Sequence, residues 1–266
     1  MHFVVLLRRV LDPEIPLSAF AVDEARKEPV VGRAPHVLSI FDGNALEVAL
    51  RLREALQGGA AITALTFGPP EDEEVLRKAL ALTVDRAVHV VGPQQEVSAA
   101  AKAAILAEAI RTLPPPDLVL CGRQAADWEA GQIGGMVAEA LALPALPFVS
   151  SVRPAAGGLE AVQQLEGGEA LYRLGGAVVL TVTNDGQNVL RAAKIRDVMA
   201  ARGREIRTLA MADLAQRAGV DPRAGQVELL SLRRQASGGR AELVNGDDPR
   251  AQARSLAARL QELGLI

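Results

Sequence analysis

Glycine and polar residues follow a short apolar run near the middle of the chain, in a pattern that suits an anion. The run at 118–121 (Leu-Val-Leu-Cys) has the composition of a buried parallel strand and ends in Gly122, Arg123 and Gln124. A glycine-spaced segment at 131–135 then opens a helical window. A strand that turns through glycines into a helix start aims backbone N–H groups at a phosphate. The block predicts a nucleotide site, although an ordinary strand-to-helix turn would use the same residues.

The sequence offers few residues for a disulfide, a metal site or histidine-based catalysis. Cys121 is the single cysteine, so an internal disulfide and a thiolate metal cluster are excluded. His2, His36 and His89 lie far apart in sequence and form no metal-binding or catalytic spacing. We therefore expect no catalytic residue and no metal ligand. A lone thiol also fits a reducing cytoplasm.

The charge pattern limits the classes of partner. The formal net charge is −3, and the lysines and arginines form no cluster, so neither nucleic acid nor an anionic membrane is expected as a partner. The first nine residues carry their charges after the apolar run, unlike a signal peptide. No apolar segment approaches the roughly 18 residues that span a bilayer. We expect a cytoplasmic protein without membrane insertion.

The elements that must position the glycine block alternate in type along the chain. Apolar runs predict strands at 3–10, 61–67, 87–91 and 116–121, and helical periodicity predicts helices at 44–56, 71–82, 98–113 and 131–141. This order predicts an α/β fold, a parallel sheet with helices on both faces. Ligands bind at the carboxyl ends of such strands, where Gly122 falls.

The pattern changes after residue 144. Short strands joined by glycine pairs at 148–153, 159–165, 170–174 and 177–182 predict an antiparallel meander. A polar and then helical segment follows at 184–207, and a poorly patterned connection at 211–235 includes a predicted strand at 226–232. The last helix is predicted at 248–263, with Asp247 or Asp248 as its cap before Pro249. Its apolar face predicts a docking partner.

Five segments together resemble the beta subunit of electron transfer flavoprotein, the group that includes FixA. They are residues 6–12, 45–54, 68–69 with 76–82, 122–125 and 199–202. Each segment is weak alone, but their order and spacing extend the resemblance over nearly the whole chain. The resemblance implies a fold similar to adenine nucleotide alpha hydrolase domains. It also implies a heterodimer in which the alpha subunit holds most of a shared FAD, while beta buries AMP.

The function that the resemblance implies is that of an electron carrier and not of an enzyme. Electrons from acyl-CoA or related dehydrogenases, as in fatty acid oxidation, would reach the shared FAD and leave to a quinone oxidoreductase. Residues 1–207 would form the nucleotide-binding domain, with the meander and a partner-recognition loop at about 184–203. Residues 208–266 would form an extension and arm on the alpha subunit. Two alternatives stay open: an electron-bifurcating subunit with a second FAD, and a stand-alone adenine-nucleotide-binding regulatory protein.

The resemblance also assigns a nucleotide pocket to particular positions. They are Leu6, Ser39, Ile40, Phe41, Asp42, Phe67, Gly122, Arg123, Gln124, Ala125, Asp127, Gly131, Gln132 and Ile133. Gly131 and Ile133 replace a common asparagine and threonine, and Ser39-Ile40 replaces Asn-Pro, which removes polar side-chain groups from the pocket. Arg9 is expected to approach the flavin ring, where a positive charge would stabilise the reduced form.

The second implied element is an aliphatic anchor for the partner dehydrogenase. Ile195 stands where similar proteins insert a leucine into a pocket of that partner, and Lys194 and Arg196 flank it with charge. One exposed apolar anchor suits a transient encounter. The alternative is that Ile195 is the first core residue of a helix that continues through Val198 and Met199.

Overall fold

The computed structural model describes residues 1–16, 20–30, 32, 35–94, 96–234 and 241–266. Contacts within the chain define two compact units, Met1–Phe20 with Val30–Leu229 and Ala21–Pro29 with Leu230–Ile266. The first unit contains the central sheet and the predicted nucleotide and recognition positions. The predicted division at residues 207 and 208 refers to a partner subunit and stays a prediction. Within the predicted extension, residues 235–240 lie outside the described part.

Strands and helices alternate between residues 36 and 141, after four short strands at the start of the chain. The strands are β1 (His2–Leu7), β2 (Arg9–Leu11), β3 (Ala21–Asp23), β4 (Glu28–Val30), β5 (His36–Leu38), β6 (Ala61–Gly68), β7 (Arg86–Val91), β8 (Leu118–Gly122), β9 (Ala145–Ala155), β10 (Gly158–Leu165), β11 (Gly168–Leu174), β12 (Val178–Val182) and β13 (Arg207–Ala210). The helices are α1 (Ile40–Ala55), α2 (Glu73–Ala81), α3 (Ala99–Arg111), α4 (Ile133–Leu141), α5 (Ile195–Ala201), α6 (Met211–Ala218) and α7 (Pro249–Glu262). Short 3-10 turns lie at Pro70–Asp72 and Gly186–Asn188.

A nine-stranded sheet forms the centre of the first unit, with the order β11-β10-β9-β12-β8-β1-β6-β7-β13. Neighbouring strands are parallel along the part of the sheet with the order β9-β12-β8-β1-β6-β7-β13. At the other edge, β10 pairs antiparallel with both β9 and β11. The predicted parallel sheet with an antiparallel meander is confirmed. The short pairs β2-β5 and β3-β4 form separate two-stranded sheets.

Helices cover the sheet on both faces. On β1, Phe3, Val5 and Leu7 pack in a core with α1 and α2, whereas Val4 and Leu6 pack with α3 and α4. This alternation follows from the period of two along a strand. Side chains on both faces are fully buried, which explains why β1 is a continuous apolar run. Among the described helices, none is both long enough and apolar enough to cross a bilayer.

Several predicted boundaries were wrong, and tertiary contacts explain the largest difference. Helix α1 begins at Ile40 and not at 44, because its first turn packs against the end of β8. The run at 3–10 divides into β1 and β2. Strand β12 lies in the parallel part of the sheet and not in the meander.

The connection at 211–235 also differs from the prediction. No strand forms at 226–232, and residue 235 lies outside the described part. Instead α6 forms at 211–218, inside the predicted connection, and the unpredicted strand β13 precedes it at 207–210. Helix α7 is confirmed, and Asp248 is its cap, since its carboxylate accepts a hydrogen bond from the Ala251 N–H at 2.8 Å.

Candidate functional site

The carboxyl ends of β1 and β8 meet the amino end of α1. Gly122, the last residue of β8, donates its backbone N–H to the Asp42 carboxylate at 3.0 Å. A Cβ atom on Gly122 would lie 2.5 Å from the Phe41 Cβ and 2.6 Å from the Phe41 carbonyl carbon. Only glycine allows this approach without a shift of the helix. The predicted positions 41, 42 and 122 are therefore neighbours, and we name this place the strand-helix junction.

Asp42 is a buried carboxyl group at the strand-helix junction. Burial raises the pKa of Asp42 to about 7, while hydrogen bonds from the backbone N–H groups of Gly122 and Arg8 and the charge of Arg8 act in the opposite direction. The Asp127 carboxylate adds a smaller raising effect. Near neutral pH the junction therefore contains a carboxyl group that is divided between its neutral and charged forms.

A compact loop follows Gly122 and carries most of the predicted phosphate positions. The Arg123 N–H binds the Val182 carbonyl at 2.9 Å, and the Ala125 N–H binds the Ala130 carbonyl at 3.1 Å. Asp127 forms an ion pair with Arg8 at 2.7 Å, which joins this loop to the end of β1. Arg8 was not among the predicted residues. Its signal in the sequence was a charged residue directly after a buried parallel strand.

Three buried polar atoms near the strand-helix junction have no hydrogen-bond partner among the described residues. They are Ser39 Oγ, Arg8 Nε and Arg123 Nε. The Arg123 guanidinium lies 5.1 Å from the centre of the Phe41 ring, so its charge is not neutralised by that contact. Buried donors without partners are costly in a folded protein. Two guanidinium groups and a hydroxyl fit the oxygens of an anionic ligand such as a nucleotide phosphate.

The amino end of α4 lies beside the ends of β8 and β12. Helix α4 begins at Ile133, so Gly131 and Gln132 precede it as exposed residues. A Cβ on Gly134 would lie 2.4 Å from Thr181 Cγ2 and 2.9 Å from Cys121 Sγ. Its first turn carries no acidic residue, and Gln132 makes no capping hydrogen bond through its side chain. The partial positive charge of this helix end is therefore available to an anion.

The remaining wall residues are brought near α3. Leu6 and Phe67 are both buried, and both face the core between the sheet and α3. Lys102 of α3 places its ammonium 5.3 Å from the centre of the Phe67 ring. Burial lowers the pKa of Lys102 to about 8. Sequence reasoning missed Lys102, although it is the only charged residue in the first two turns of an alanine-rich helix.

Arg9 belongs to a different group of side chains. It forms an ion pair with Glu74 at 3.0 Å, and its guanidinium lies 4.0 Å from Asp72. A cavity of about 160 Å³ lies beside it, lined by residues that include His36 and Lys78. Arg9 is thus compensated by carboxylates, and within the described residues it forms no hydrogen bond or ion pair with the loop after β8. An approach of Arg9 to a flavin ring stays a prediction.

Ile195 is the first residue of α5, and 84% of its surface is exposed. This exposure excludes the alternative that Ile195 is a core residue. Val198 and Met199 are also exposed. Lys194 precedes the helix, and Arg196 pairs with its neighbour Asp197 at 3.3 Å. The exposed apolar surface of Ile195, Val198 and Met199 is named the recognition patch below.

Hydrogen bonds and ion pairs from α1 and α2 fix the segment that carries the recognition patch. Arg191 pairs with Glu47 at 2.8 Å and also with Glu54, both from α1. The Asn44 side chain donates to the Asn188 carbonyl at 2.8 Å. At the other end of α5, the Arg77 guanidinium donates to the Ala201 carbonyl at 3.0 Å. Helices α1 and α2 therefore hold both sides of the recognition patch.

Comparison with known protein families identifies the family of this chain. The family model described as electron transfer flavoprotein domain matches residues 30–214, which include α1, the loop after β8 and Ile195. The chain belongs to the electron transfer flavoprotein family. This confirms the resemblance that the sequence segments carried.

Curated relatives of the electron transfer flavoprotein family match most of the chain. Electron transfer flavoprotein subunit beta of Thermoanaerobacterium thermosaccharolyticum is 31% identical over 218 residues, 80% of each chain. The same subunit of Megasphaera elsdenii is 28% identical over 94% of each chain. Caffeyl-CoA reductase-Etf complex subunit CarD of Acetobacterium woodii is 28% identical over 92% of this chain and 95% of its own.

Proposed function

We propose that this chain is the beta subunit of a heterodimeric electron transfer flavoprotein and works as an electron carrier, not as an enzyme. The observation that carries the proposal is the family match at 30–214 together with relatives named subunit beta that align over 80% to 94% of the chain. The partner is an alpha subunit that holds most of a shared FAD. FAD, when bound to the heterodimer, supplies the one- and two-electron chemistry.

The strand-helix junction and the loop after β8 form a site for an adenine nucleotide, with AMP as the expected occupant. The unpartnered Nε atoms of Arg8 and Arg123 and the Ser39 hydroxyl support this assignment. The amino end of α4 adds further favourable charge for a phosphate. Because AMP has no redox chemistry, the contribution of this site is to stabilise and orient the chain.

The recognition patch is the docking surface for an electron donor, an acyl-CoA or related dehydrogenase. Ile195 is the exposed apolar anchor, and the flanking Lys194 and Arg196 guide an acidic partner surface. The CarD relative is named as part of a complex with a caffeyl-CoA reductase, which supports an oxidoreductase of CoA thioesters as the class of docking partner. Electrons then leave the flavin for a quinone oxidoreductase. A small interface around one anchor allows release after each transfer.

Co-expression of this chain with its alpha subunit tests the proposal. The purified complex is unfolded, and its flavin and adenine nucleotide are quantified by absorbance and chromatography. One FAD and one AMP per heterodimer are expected. Two FAD per heterodimer would favour the electron-bifurcating alternative. Purification of this chain as a flavin-free protein that does not bind alpha would contradict the carrier function and favour a stand-alone regulator.

A further inference from the structure

Lys102 is a cation at the proposed nucleotide site, and none of the ligand contacts proposed so far involves it. It lies in the second turn of α3, and its ammonium is placed over the Phe67 ring. Phe67 ends the apolar part of β6, next to β1 and hence next to Arg8. Lys102 therefore approaches the nucleotide site from the helix layer, whereas Arg8 and Arg123 approach it from strand ends.

Among the described residues, no carboxylate lies within ion-pair distance of the Lys102 ammonium. Its Nζ donates to the backbone carbonyl of Gln94 at 3.1 Å and to the Gln94 Oε1 at 3.3 Å, which are neutral acceptors at long distances. Within the described ranges, Lys102 forms no ion pair. A half-buried ammonium without a counterion is unfavourable, because burial removes its hydration.

Gln94 does not depend on Lys102 for its position. The Gln94 amide donates to the Phe67 carbonyl at 3.0 Å and to the Asp72 carboxylate at 2.9 Å. The lysine side chain is long and flexible, so its ammonium can leave the two Gln94 acceptors without disturbing that amide. The Lys102 ammonium can therefore move from these neutral acceptors to a negatively charged one.

Two of the charged groups that act on Lys102 belong to the same pocket. Arg8 at the end of β1 and Asp127 in the loop after β8 are the two that line it, whereas the third charged group, Asp72, lies beside Arg9 in the turn before α2. Arg8 and Asp127 are paired with each other, so their opposing effects on Lys102 largely cancel. An anion bound beside Arg8 would be the strongest counterion available to Lys102.

We propose that Lys102 is a further ligand-binding residue of this pocket, and that its ammonium forms an ion pair with the phosphate of the bound nucleotide. This role rests on the proposed nucleotide site. Because an ion pair with phosphate favours the protonated amine, nucleotide binding takes up a proton wherever Lys102 is partly neutral. Nucleotide affinity therefore falls as the pH rises through about 8.

Titration calorimetry with AMP tests this role on the heterodimer after its nucleotide has been removed. Above pH 7.5 the AMP phosphate is already a dianion, so its own titration does not enter. Asp42 has a pKa of about 7 and is unchanged in every Lys102 variant, so the difference between a variant and the wild type is what reports on Lys102. For the wild type, affinity should fall about tenfold between pH 7.5 and pH 9.5, and binding at pH 8.5 should take up protons, as seen with two buffers of different ionisation enthalpy.

Two substitutions separate a binding role from a structural one. Lys102→Met should weaken AMP binding about tenfold at pH 7.5 and abolish the proton uptake. Lys102→Arg keeps a charge that does not titrate, so it should retain affinity and show a flatter pH profile than the wild type. The matched control is Lys78→Met, at an exposed position of α2, which should behave as the wild type. If Lys102→Met does not fold, the comparison of the Lys102→Arg profile with that of the wild type still carries the test.

The experiments distinguish a failure of the Lys102 role from a failure of the nucleotide site. Unchanged affinity and unchanged proton uptake in Lys102→Met, or a pH profile of Lys102→Arg as steep as that of the wild type, would overturn the role of Lys102 and leave the nucleotide site standing. No AMP binding by the wild type between pH 6 and pH 9.5 would instead refute the nucleotide site, and the role of Lys102 with it.

Discussion

The Asp42 carboxylate accepts the backbone N–H of Gly122 at 3.0 Å and so joins the first turn of α1 to the end of β8. The two residues are 80 positions apart in the sequence. The contact requires that residue 122 has no Cβ, because Phe41 occupies that space. The local path of the backbone and the ionisation of Asp42 are therefore coupled at this single hydrogen bond.

Gly122→Ala should destabilise the protein and weaken AMP binding. The new methyl group would lie 2.5 Å from the Phe41 Cβ, so α1 must shift, and the free energy of unfolding should fall by about 1–3 kcal/mol. Urea denaturation measures this change. Gly135→Ala is the control, since a Cβ there meets no atom within 4 Å, and it should raise the free energy of unfolding by up to about 1 kcal/mol. Equal effects of the two substitutions would contradict the packing argument.

Asp42→Asn should change how stability depends on pH. Burial raises the folded-state pKa of Asp42 to about 7, above the unfolded value, so the protonated form favours the fold. Its contribution is complete below the unfolded pKa and is lost as the pH rises towards about 7. Asparagine keeps an oxygen acceptor for Gly122 and carries no charge.

Urea denaturation of wild type and Asp42→Asn between pH 4.5 and pH 8 measures the difference. The variant should be more stable than the wild type at pH 8, by on the order of 1–4 kcal/mol, and the difference should shrink as the pH falls. Parallel pH profiles for the two proteins would show that Asp42 titrates normally in the fold.

Arg191→Met should loosen the segment that carries the recognition patch. It leaves the Glu47 side chain, which is 7% exposed, without its cation. The expected loss is about 2–4 kcal/mol in the free energy of unfolding, because a buried charge is left unpaired. Arg196→Met removes an exposed ion pair from the same segment and should change stability by less than about 0.5 kcal/mol. A loss of similar size in both variants would argue against the role of Glu47.

Ile195→Ala should separate docking from folding. The side chain is 84% exposed, so the free energy of unfolding should change by less than about 0.5 kcal/mol and the flavin content should not change. The rate of flavin reduction by the partner dehydrogenase, measured by stopped flow, should fall about tenfold or more at limiting enzyme concentration. Val227→Ala, at a position 90% exposed, is the control. A normal rate of flavin reduction in Ile195→Ala would show that Ile195 is not the docking anchor.

The sequence pattern predicted those parts of the fold that depend on periodicity. Strand β8 and its exit at Gly122 are examples, because an apolar run bounded by glycine is a local signal. Arg8 and Lys102 escaped prediction, since only the folded chain brings the end of β1 and the helix α3 to one pocket. The early start of α1 has the same origin, a contact with β8 that no local preference encodes.

Helix α1 fixes a distance and a rotation between two sites. Asp42 at its first turn lies at the proposed nucleotide pocket, and Glu54 near its last turn holds Arg191 in the segment of the recognition patch, about 18 Å further along the helix axis. One inserted residue between them would rotate Glu54 by about 100° and advance it by about 1.5 Å. The number of residues in this helix is therefore as constrained as their identity. An insertion that preserves both sites must add about two whole turns, and it would also carry the docking surface roughly 10 Å away from the nucleotide.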